Sequence, residues 1–170
     1  LTAVGQSFGQ LWGYKTDGVF ATAAEAAQAG LSKRESNGSL TPFGAGDVKF
    51  VDLDGNKVID EKDKEVIGNT NPDFYGAFNA GFKYKRLSLN VMFNYSYGND
   101  VYNFLRSQVE SGSTFYNQTT AMNNRWLTEG QKTSIPRSTY GDPMENNRFS
   151  DRWVEDGSYI RLRNVELAYD

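Results

Sequence analysis

Residues 73–100 read DFYGAFNAGFKYKRLSLNVMFNYSYGND, and this stretch decides the fold because its periodicity leaves little choice of structure. Apolar and polar residues alternate along residues 78–84 and again along residues 87–97. A period of two residues is typical of an extended strand whose two faces meet different surroundings. Lys85 and Arg86 interrupt the alternation and supply a turn. The stretch therefore predicts an antiparallel hairpin with one apolar and one polar face.

The length of the two arms and the aromatic residues at their ends favour a membrane β-barrel. Each arm has about 11 residues, near the roughly 9–11 that a tilted strand needs to cross a bilayer, whereas strands of soluble domains usually have about 5–6. Phe74 and Tyr75 open the first arm, and Tyr95 and Tyr97 close the second. We expect these four at one end of the hairpin, as in an interfacial girdle. A hairpin of a soluble β-sandwich, whose strands also alternate, remains the alternative.

The composition excludes several classes of function. The chain has 170 residues, enough for one compact domain, and its 17 Gly and 14% aromatic residues favour strands and turns. A net charge of −3 gives no electrostatic footprint for nucleic acid, so no nucleic-acid partner is expected. The sequence contains no Cys and no His, which excludes thiolate and imidazole metal sites and Ser-His-Asp hydrolysis. It has no run of about 18 apolar residues, so no membrane-spanning helix is predicted.

Local signals outline the rest of the chain. Thr22 and Glu25 form a capping box that predicts a short surface helix over residues 23–29, ending at Gly30. We expect a strand over residues 47–51, weakly helical pieces over 101–112 and 121–127, and a long loop over 131–147. Near Arg163 and Asn164 the apolar alternation changes parity, which predicts a β-bulge. The alternation runs on to the end of the sequence, which indicates a piece of a longer protein.

Residues 52–63, DLDGNKVIDEKD, have the ligand spacing of a calcium loop. Side-chain oxygens stand at positions 1, 3, 5, 9 and 12, and position 7 can offer its carbonyl; the six predicted ligands are Asp52, Asp54, Asn56, Val58, Asp60 and Asp63. Lys57 departs from the pattern, since position 6 favours Gly with positive φ and the lysine brings a positive charge near the ion. We predict a Ca²⁺ ion that stiffens the loop. The alternative is an ion-free Asx-rich turn that caps a helix from Glu61 onward.

The carboxylates and aromatic residues elsewhere do not predict an enzyme. Glu155 and Asp156 are adjacent, so on a strand they would face opposite ways, and the other candidates lie in loops with no partner fixed by spacing: Glu110, Glu129 and Asp142. We therefore expect no catalytic activity. Four aromatic residues could stack on sugars, although packing is the usual role of such residues: Trp12, Tyr14, Trp126 and Trp153.

Three sequence blocks carry a family resemblance. They are GQSFGQLWGYKTDGVF at 5–20, GDVKFVDLDGNKVIDEKDKEVIGNTNPDFYGAFNAGFKYKRLSLNVMFNYSYGNDVYN at 46–103, and RFSDRWVEDGSYIRLRNVELAY at 148–169. In this order they resemble the C-terminal part of the SusC/RagA family of TonB-linked outer-membrane receptors. The intervening segments, 30–45 and 112–147, match the family only as loops.

The resemblance implies a large parent protein in the bacterial outer membrane. Members of this family have an N-terminal plug and a 22-stranded barrel, work with a SusD-like lipoprotein and the TonB complex, and import glycans or peptides. The resemblance implies that residues 1–170 are a fragment of the barrel domain in contact with outer-membrane lipid, without the plug. The expected fold is all-β, with antiparallel strands and hairpins and with long loops that carry short helices.

Two functional hypotheses follow. The first is a part of a TonB-dependent receptor that imports glycans or peptides. The second is an independent soluble calcium-binding β module that binds carbohydrate through Trp and Tyr. The apolar side of the hairpin distinguishes them, because a soluble module would bury Phe82, Leu89, Val91 and Phe93 under a second layer.

Overall fold

The structure, a computed structural model, describes residue 5 and residues 7–169, so residues 1–4, 6 and 170 of the expected fragment lie outside it. The strands are β1 (Gln10–Tyr14), β2 (Thr16–Val19), β3 (Ser32–Arg34), β4 (Leu40–Pro42), β5 (Val48–Phe50), β6 (Val58–Ile59), β7 (Lys64–Asn69), β8 (Phe74–Tyr84), β9 (Leu87–Tyr97), β10 (Asp100–Tyr102), β11 (Val154–Asp156) and β12 (Tyr159–Tyr169). The helices are α1 (Ala23–Ala29) and α2 (Phe104–Val109), with 3₁₀ turns at Glu61–Asp63, Thr120–Asn124 and Asp151–Trp153. Among these described residues, no helix combines the length and the apolar character needed to cross a membrane. The predicted all-β fold is confirmed.

The chain divides into two compact units. The first is built mainly from residues 68–101 and 155–169, and the second from residues 12–67 and 102–154. Two short ladders pair β1 with β7 and β10 with β11.

The first unit contains a three-stranded antiparallel sheet in the order β12-β9-β8. β8 and β9 each have 11 residues, and their register runs from the pair Phe74–Tyr97 to the pair Tyr84–Leu87. Only Lys85 and Arg86 lie between the strands, and Lys85 has a φ of 54°. A positive φ is what a two-residue hairpin loop requires. The predicted hairpin is confirmed.

β12 pairs with β9 through the predicted bulge. Leu162 lies opposite Phe93, the register shifts between Leu162 and Asn164, and Val165 then lies opposite Val91. The extra residue turns the later part of β12 by one position. As a result, apolar residues before and after the bulge lie on the same face of the sheet.

The second unit has short strands and one apolar core. β2 pairs with β5, and β3 pairs with β4 antiparallel and with β6 parallel. The core consists of Tyr14, Phe20, Ala26, Leu31, Phe43, Val48, Phe50, Ile59 and Met144. Phe50 lies at the middle of it, with ring centroids 5.7 Å from Tyr14 and 5.8 Å from Phe43.

Helix α1 begins and ends where the sequence predicts. The Thr22 side chain accepts a hydrogen bond from Glu25 N at 3.1 Å, and Gly30 ends the helix with a φ of 67°. The Glu25 carboxylate accepts from Ala21 N at 3.0 Å, one residue earlier than in a standard capping box. The sequence predicts a surface helix that carries no core, and this is wrong in one respect, because Ala26 is buried in the core of the second unit.

The predicted loop over residues 131–147 contains no helix or strand. Its conformation is stabilised by contacts with a buried carboxylate. Asp47 has no solvent exposure, and its two oxygens accept from Arg137 Nε at 2.8 Å and from Arg137 Nη2 at 3.1 Å. Asn146 Nδ2 donates to the same carboxylate at 3.0 Å. A bidentate, hydrogen-bonded pair of this kind holds the loop in one geometry.

Candidate functional site

The first candidate site is one face of the sheet β12-β9-β8. Residues opposite each other in the register share a face, and on this face every one of them is apolar, aromatic or glycine. We call this surface the apolar face. It consists of Phe74, Gly76, Phe78, Ala80, Phe82, Tyr84, Leu87, Leu89, Val91, Phe93, Tyr95, Tyr97, Ile160, Leu162, Val165, Leu167 and Tyr169.

The apolar face is uncovered. Phe82 is 65% exposed and Leu167 is 66% exposed, while Leu89, Val91 and Phe93 on the central strand are half-buried by neighbours. None of the four side chains expected in the core of a soluble module is therefore buried in this chain. The opposite face carries mainly polar residues, among them Asn79, Ser88, Asn90, Asn94, Ser96, Arg161 and Glu166.

Aromatic residues gather at the open end of the hairpin. Phe74 stacks on Tyr97 with ring centroids 4.9 Å apart, and its ring meets Tyr95 edge-on at 6.2 Å. Tyr95 lies over Gly76, where a Cβ would come within 2.9 Å of the Tyr95 hydroxyl oxygen. The prediction that Phe74, Tyr75, Tyr95 and Tyr97 lie at one end of the hairpin is confirmed. Tyr75 pairs with Ser96 and therefore lies on the opposite face from the other three rings.

A second aromatic group lies at the turn end of the same face. Tyr84 and Tyr169 both pair with Leu87, one from each neighbouring strand. The ammonium group of Lys85 lies 5.4 Å from the centre of the Tyr84 ring. Sequence reasoning missed this group because the sequence does not show that β12 pairs with β9, which is what brings Tyr169 beside Leu87.

The second candidate site is the acidic loop over residues 52–63. Asp52, Asp54 and Asp63 each place a carboxylate oxygen within 4.8 Å of the other two. Oxygens that share one Ca²⁺ at 2.3–2.6 Å are separated by at most about 5 Å, so this spacing fits a shared ion. Asp60 lies outside the group, and its carboxylate accepts from Lys62 N at 3.0 Å.

Backbone donors hold these carboxylates in place. The two oxygens of Asp63 accept from Leu53 N at 2.9 Å and from Asp60 N at 2.8 Å. Those of Asp52 accept from Gly55 N and Lys57 N, both at 2.8 Å. The helix expected from Glu61 onward is a single 3₁₀ turn, Glu61–Asp63, and β7 starts at Lys64. Each carboxylate oxygen has two lone pairs, so these bonds leave acceptor capacity for a cation.

Lys57 has the backbone conformation that a calcium loop requires at position 6. Its φ is 62°, in the left-handed region where Gly is usual. Its ammonium nitrogen lies 3.4 Å from the position that a Cβ on Gly30 would occupy, at the C-terminal end of α1. Helix C-termini stabilise cations, and the last turn of α1 has no basic residue of its own. The C-terminal end of α1 therefore stabilises the positive charge of Lys57.

Comparisons with known proteins give one consistent family. No family model matches the chain. It is 32% identical over 167 residues to TonB-dependent receptor P3 of Formosa agariphila, which covers 98% of this chain and 15% of that protein. It is 31% identical over 136 residues to TonB-dependent receptor P26 of the same organism, across 80% of this chain and 14% of that protein. The predicted resemblance to the TonB-linked receptors is confirmed.

Solved structures support the same assignment of the fold. The RagAB peptide importer in its closed-closed state superposes with a TM-score of 0.61 over 93% of this chain and 16% of that chain, at 19% identity. A second structure of the RagAB peptide transporter gives a TM-score of 0.59. The chain thus has the fold of a segment of this outer-membrane transporter. It spans about 15% of the length of the curated TonB-dependent receptors that it matches.

The loop carboxylates named from the sequence serve as structural acceptors in this chain. Glu110 accepts from Arg106 Nε at 2.9 Å and from Thr119 Oγ1 at 3.0 Å. Glu129 accepts from Ala23 N at 2.8 Å. Asp142 accepts from the backbone N–H groups of residues 146 and 147, and burial raises the pKa of its carboxyl group.

Two of the aromatic residues considered for sugar stacking are inaccessible. Tyr14 is buried in the core and Trp153 is 1% exposed. Trp126 is half-buried, and its Nε1 donates to Ala21 O at 3.1 Å. Trp12 is partly exposed. The packing role favoured by the sequence is confirmed for Tyr14 and Trp153.

Sequence reasoning missed two adjoining cavities in the second unit. Both are formed by residues 112–118 together with segments near them in the fold. The only signal was a run rich in hydroxyl and amide groups with aromatic residues inside it, SGSTFYNQTT at 111–120. A run of this kind reads as an ordinary loop until the fold shows what lies beside it.

Proposed function

We propose that the chain is part of the barrel wall of an outer-membrane receptor and transporter, with its apolar face toward lipid. The observation that carries this proposal is that the face is uniformly apolar and yet uncovered. Soluble proteins rarely expose contiguous apolar patches larger than a few hundred Å². The apolar face is three strands wide, and each strand has 11 residues, so its area exceeds that of the apolar patches usual on soluble proteins. The lipid-facing surface of a membrane β-barrel is apolar over an area of this kind.

The dimensions of the sheet support the same proposal. A strand of 11 residues measures about 33 Å from its first to its last Cα at roughly 3.3 Å per residue. A tilt of about 40° reduces this to roughly 25 Å along the membrane normal, the height of the apolar band of such barrels. The two aromatic groups at the ends of the face correspond to the two interfacial girdles.

The rest of the parent protein completes the barrel. In the described chain β8 and β12 are the outer strands of their sheet, and a spanning sheet must have no unpaired edge in lipid. Since this chain covers about 15% of its curated relatives, we assign residues 1–170 to the barrel domain and the neighbouring strands and plug to the remaining sequence. By analogy with the RagAB peptide importer and with the family that the sequence resembles, we infer that the whole protein imports glycans or peptides together with a SusD-like lipoprotein and the TonB complex, without catalysis.

Site-directed spin labelling tests the orientation of the sheet. Val91 and Asn90 are neighbours at the middle of β9 and lie on opposite faces. In a cysteine-free version of the full-length parent protein reconstituted in lipid, a spin label at Val91→Cys should be accessible to oxygen and shielded from a water-soluble nickel reagent. The label at Asn90→Cys, the matched control, should show the reverse or be shielded from both. Equal access of the nickel reagent to both labels would overturn the proposal.

We further propose that the acidic loop binds Ca²⁺ through Asp52, Asp54 and Asp63, with Asn56, Asp60 and the Val58 carbonyl completing the shell. The convergence of three carboxylates supports this role, because they repel one another unless a cation lies between them. Calorimetric titration with CaCl₂ is the test. Asp54→Asn should weaken binding at least about tenfold, whereas Asp17→Asn, a control at an exposed position of β2, should not. Absence of binding would leave the loop as an ion-free Asx turn.

A further inference from the structure

The two ends of the apolar face differ in charge. At the turn end, residues 83–88 and 167–170 together contain three basic residues and one acidic residue. At the open end, residues 73–77, 94–100 and 155–161 contain four acidic residues and one basic residue. A molecule that lies along this face therefore meets a positive potential at the turn end only.

The turn itself supplies two exposed cations. Lys85 and Arg86 connect β8 to β9, and both are exposed. The ammonium group of Lys85 stays at the edge of the apolar face, 5.4 Å from the centre of the Tyr84 ring. Arg86 has no ion-pair partner among the described residues. A guanidinium group can bind two oxygens of one phosphate, and an ammonium group adds a point charge. The turn thus offers the donors that suit a phosphodiester group.

Apolar and aromatic side chains adjoin these cations. Tyr84, Leu87 and Tyr169 lie side by side on the apolar face next to the turn, and all three are exposed. Tyrosine is enriched where a membrane meets water, because its ring is apolar and its hydroxyl group can bond to a headgroup. Beyond these residues the face stays apolar along the strands. The surface therefore suits a ligand with a charged head and long apolar chains.

The carboxylate of the sheet lies away from this end of the apolar face. Within the described parts of β8, β9 and β12, Glu166 is the one acidic residue. It lies opposite Asn90 and belongs to the polar face. An anionic headgroup at the turn would therefore meet Lys85 and Arg86 before any carboxylate of the described sheet. This arrangement favours an anionic headgroup over a zwitterionic one.

The length of the turn indicates which leaflet supplies the ligand. Outer-membrane barrels have short turns on the periplasmic side and longer loops on the external side. Only Lys85 and Arg86 lie between β8 and β9, whereas residues 98–158 lie between β9 and β12. The turn end therefore belongs to the periplasmic leaflet, which consists of phospholipids. The expected ligand is a phospholipid of that leaflet and not the lipopolysaccharide of the outer one.

We propose that the turn end of the apolar face binds an anionic phospholipid, with its phosphate on Lys85 and Arg86 and its acyl chains along the face. The inference names a partner for the lipid-facing surface, and so it rests on the proposed barrel assignment. Acyl chains pack on an apolar surface whatever their headgroup, so the selection comes from the basic turn. One basic side chain near an anionic lipid surface gives a preference of about fivefold.

Quenching of a fluorophore by brominated lipids tests this preference locally. In a cysteine-free version of the full-length parent protein, a bimane at Leu87→Cys reports the turn end, and one at Ile160→Cys reports the open end of the same face. The vesicles contain phosphatidylcholine with a minor fraction of phosphatidylglycerol, and either lipid carries the bromine on its acyl chains. Phosphatidylglycerol should be enriched at the turn end by at least about fivefold over its share of the vesicle. At the open end it should not be enriched.

Neutral variants identify the side chains responsible. Lys85→Asn combined with Arg86→Gln should abolish the enrichment, and Asn tolerates the φ of 54° at residue 85. Quenching by brominated phosphatidylcholine should persist in this variant, which shows that the strand is still inserted. The matched control, Arg34→Gln combined with Lys132→Gln, removes two exposed positive charges from the second unit and should keep the enrichment.

The outcomes separate this proposal from the barrel assignment. If brominated phosphatidylcholine quenches neither probe, the assignment of the sheet to a lipid-facing wall is rejected. If both lipids quench in proportion to their share, if the two ends show equal enrichment, or if the neutral turn variant keeps it, the headgroup selection alone is overturned. Loss of the enrichment on addition of glycerol 3-phosphate would also overturn it, because the turn would then be a site for a free phosphate.

Discussion

Lys57 combines an unfavourable backbone conformation with a favourably placed charge. Its φ of 62° is the conformation that Gly adopts freely, and a lysine there costs about 1 kcal/mol. Its ammonium group at the end of α1 offsets part of that cost through the helix dipole. The positive φ of Lys57 and the position of its ammonium group at the end of α1 therefore have opposite effects on stability. Neither effect can be predicted from the ligand spacing of the loop alone.

Substitutions at Lys57 separate these two effects. Lys57→Val places a β-branched residue at positive φ and should lower the free energy of unfolding by about 1–2 kcal/mol. Lys57→Gly removes the strain together with the charge and should change it by less than about 0.5 kcal/mol. Urea unfolding of both variants is the measurement. Equal destabilisation by Val and by Gly would mean that the charge at the helix end, and not the backbone conformation, dominates.

Asp142 should make the free energy of unfolding of the second unit depend on pH, and the sign of that dependence can be predicted. Burial raises the pKa of this carboxyl group in the folded state, so its protonated form is favoured by folding. Its contribution to stability is therefore fully present below the ordinary value of 3.8 and is lost as the pH rises through the folded pKa. On acidification from pH 7 toward pH 4, the wild-type protein should gain stability relative to Asp142→Asn.

Unfolding free energies of both proteins at several pH values test this. Asn tolerates positive φ, and residue 142 has a φ of 48°, so the variant should keep the turn. A stability difference that does not change with pH would show that the carboxyl group titrates normally.

The long strands could be predicted from the sequence at the level of elements, and the short strands could not. β9 alternates along its 11 residues apart from Met92, and β8 alternates along residues 78–84, which is enough to fix strand, face and register. β6 has two residues and β3 has three, too few to show any period. Their pairing depends on the core that surrounds them. The cavities beside residues 112–118 escaped prediction for the same reason.

The bulge in β12 permits a prediction about which face of the sheet the following residues occupy. Deletion of Arg163 removes the extra residue and leaves Leu162 and Val165 on the apolar face. Deletion of Asn90 in β9, the matched control, would send half of that strand's apolar residues to the polar face. We expect the first deletion to assemble into outer membrane at near-normal levels and the second to fail. Heat-modifiable mobility of the full-length protein in gels is the readout, and equal failure of both would show that the bulge itself is required.

The two units of the molecule have different degrees of self-sufficiency. The second has a buried aromatic core and a bidentate ion pair between the fully buried Asp47 and the partly exposed Arg137. The first has a sheet whose apolar face is not covered by another layer of the described chain, and whose outer strands β8 and β12 have no partner on their outer edges there. The family resemblance supplied the missing context, since hairpin periodicity alone left a soluble sandwich open.

This difference predicts how the isolated 170-residue chain behaves in solution. In detergent-free buffer the exposed apolar face and the open strand edges should drive association, because both surfaces bury area only against another molecule. In detergent micelles the face is covered, and we expect far smaller species. A variant with Phe82→Ser, Val91→Lys, Leu162→Ser and Leu167→Lys should remain dispersed in buffer, since it carries polar groups at the exposed centre of the face.

The control variant carries the same kinds of substitution on the polar face, Asn79→Ser, Asn90→Lys, Arg161→Ser and Glu166→Lys, and should associate like the wild-type chain. Sedimentation velocity with and without detergent distinguishes the outcomes. A wild-type chain that sediments as a monomer in plain buffer would mean that the apolar face can remain exposed to water without causing association. The physical basis for placing that face in lipid would then be lost, and the soluble calcium-binding module would become the better account of the molecule.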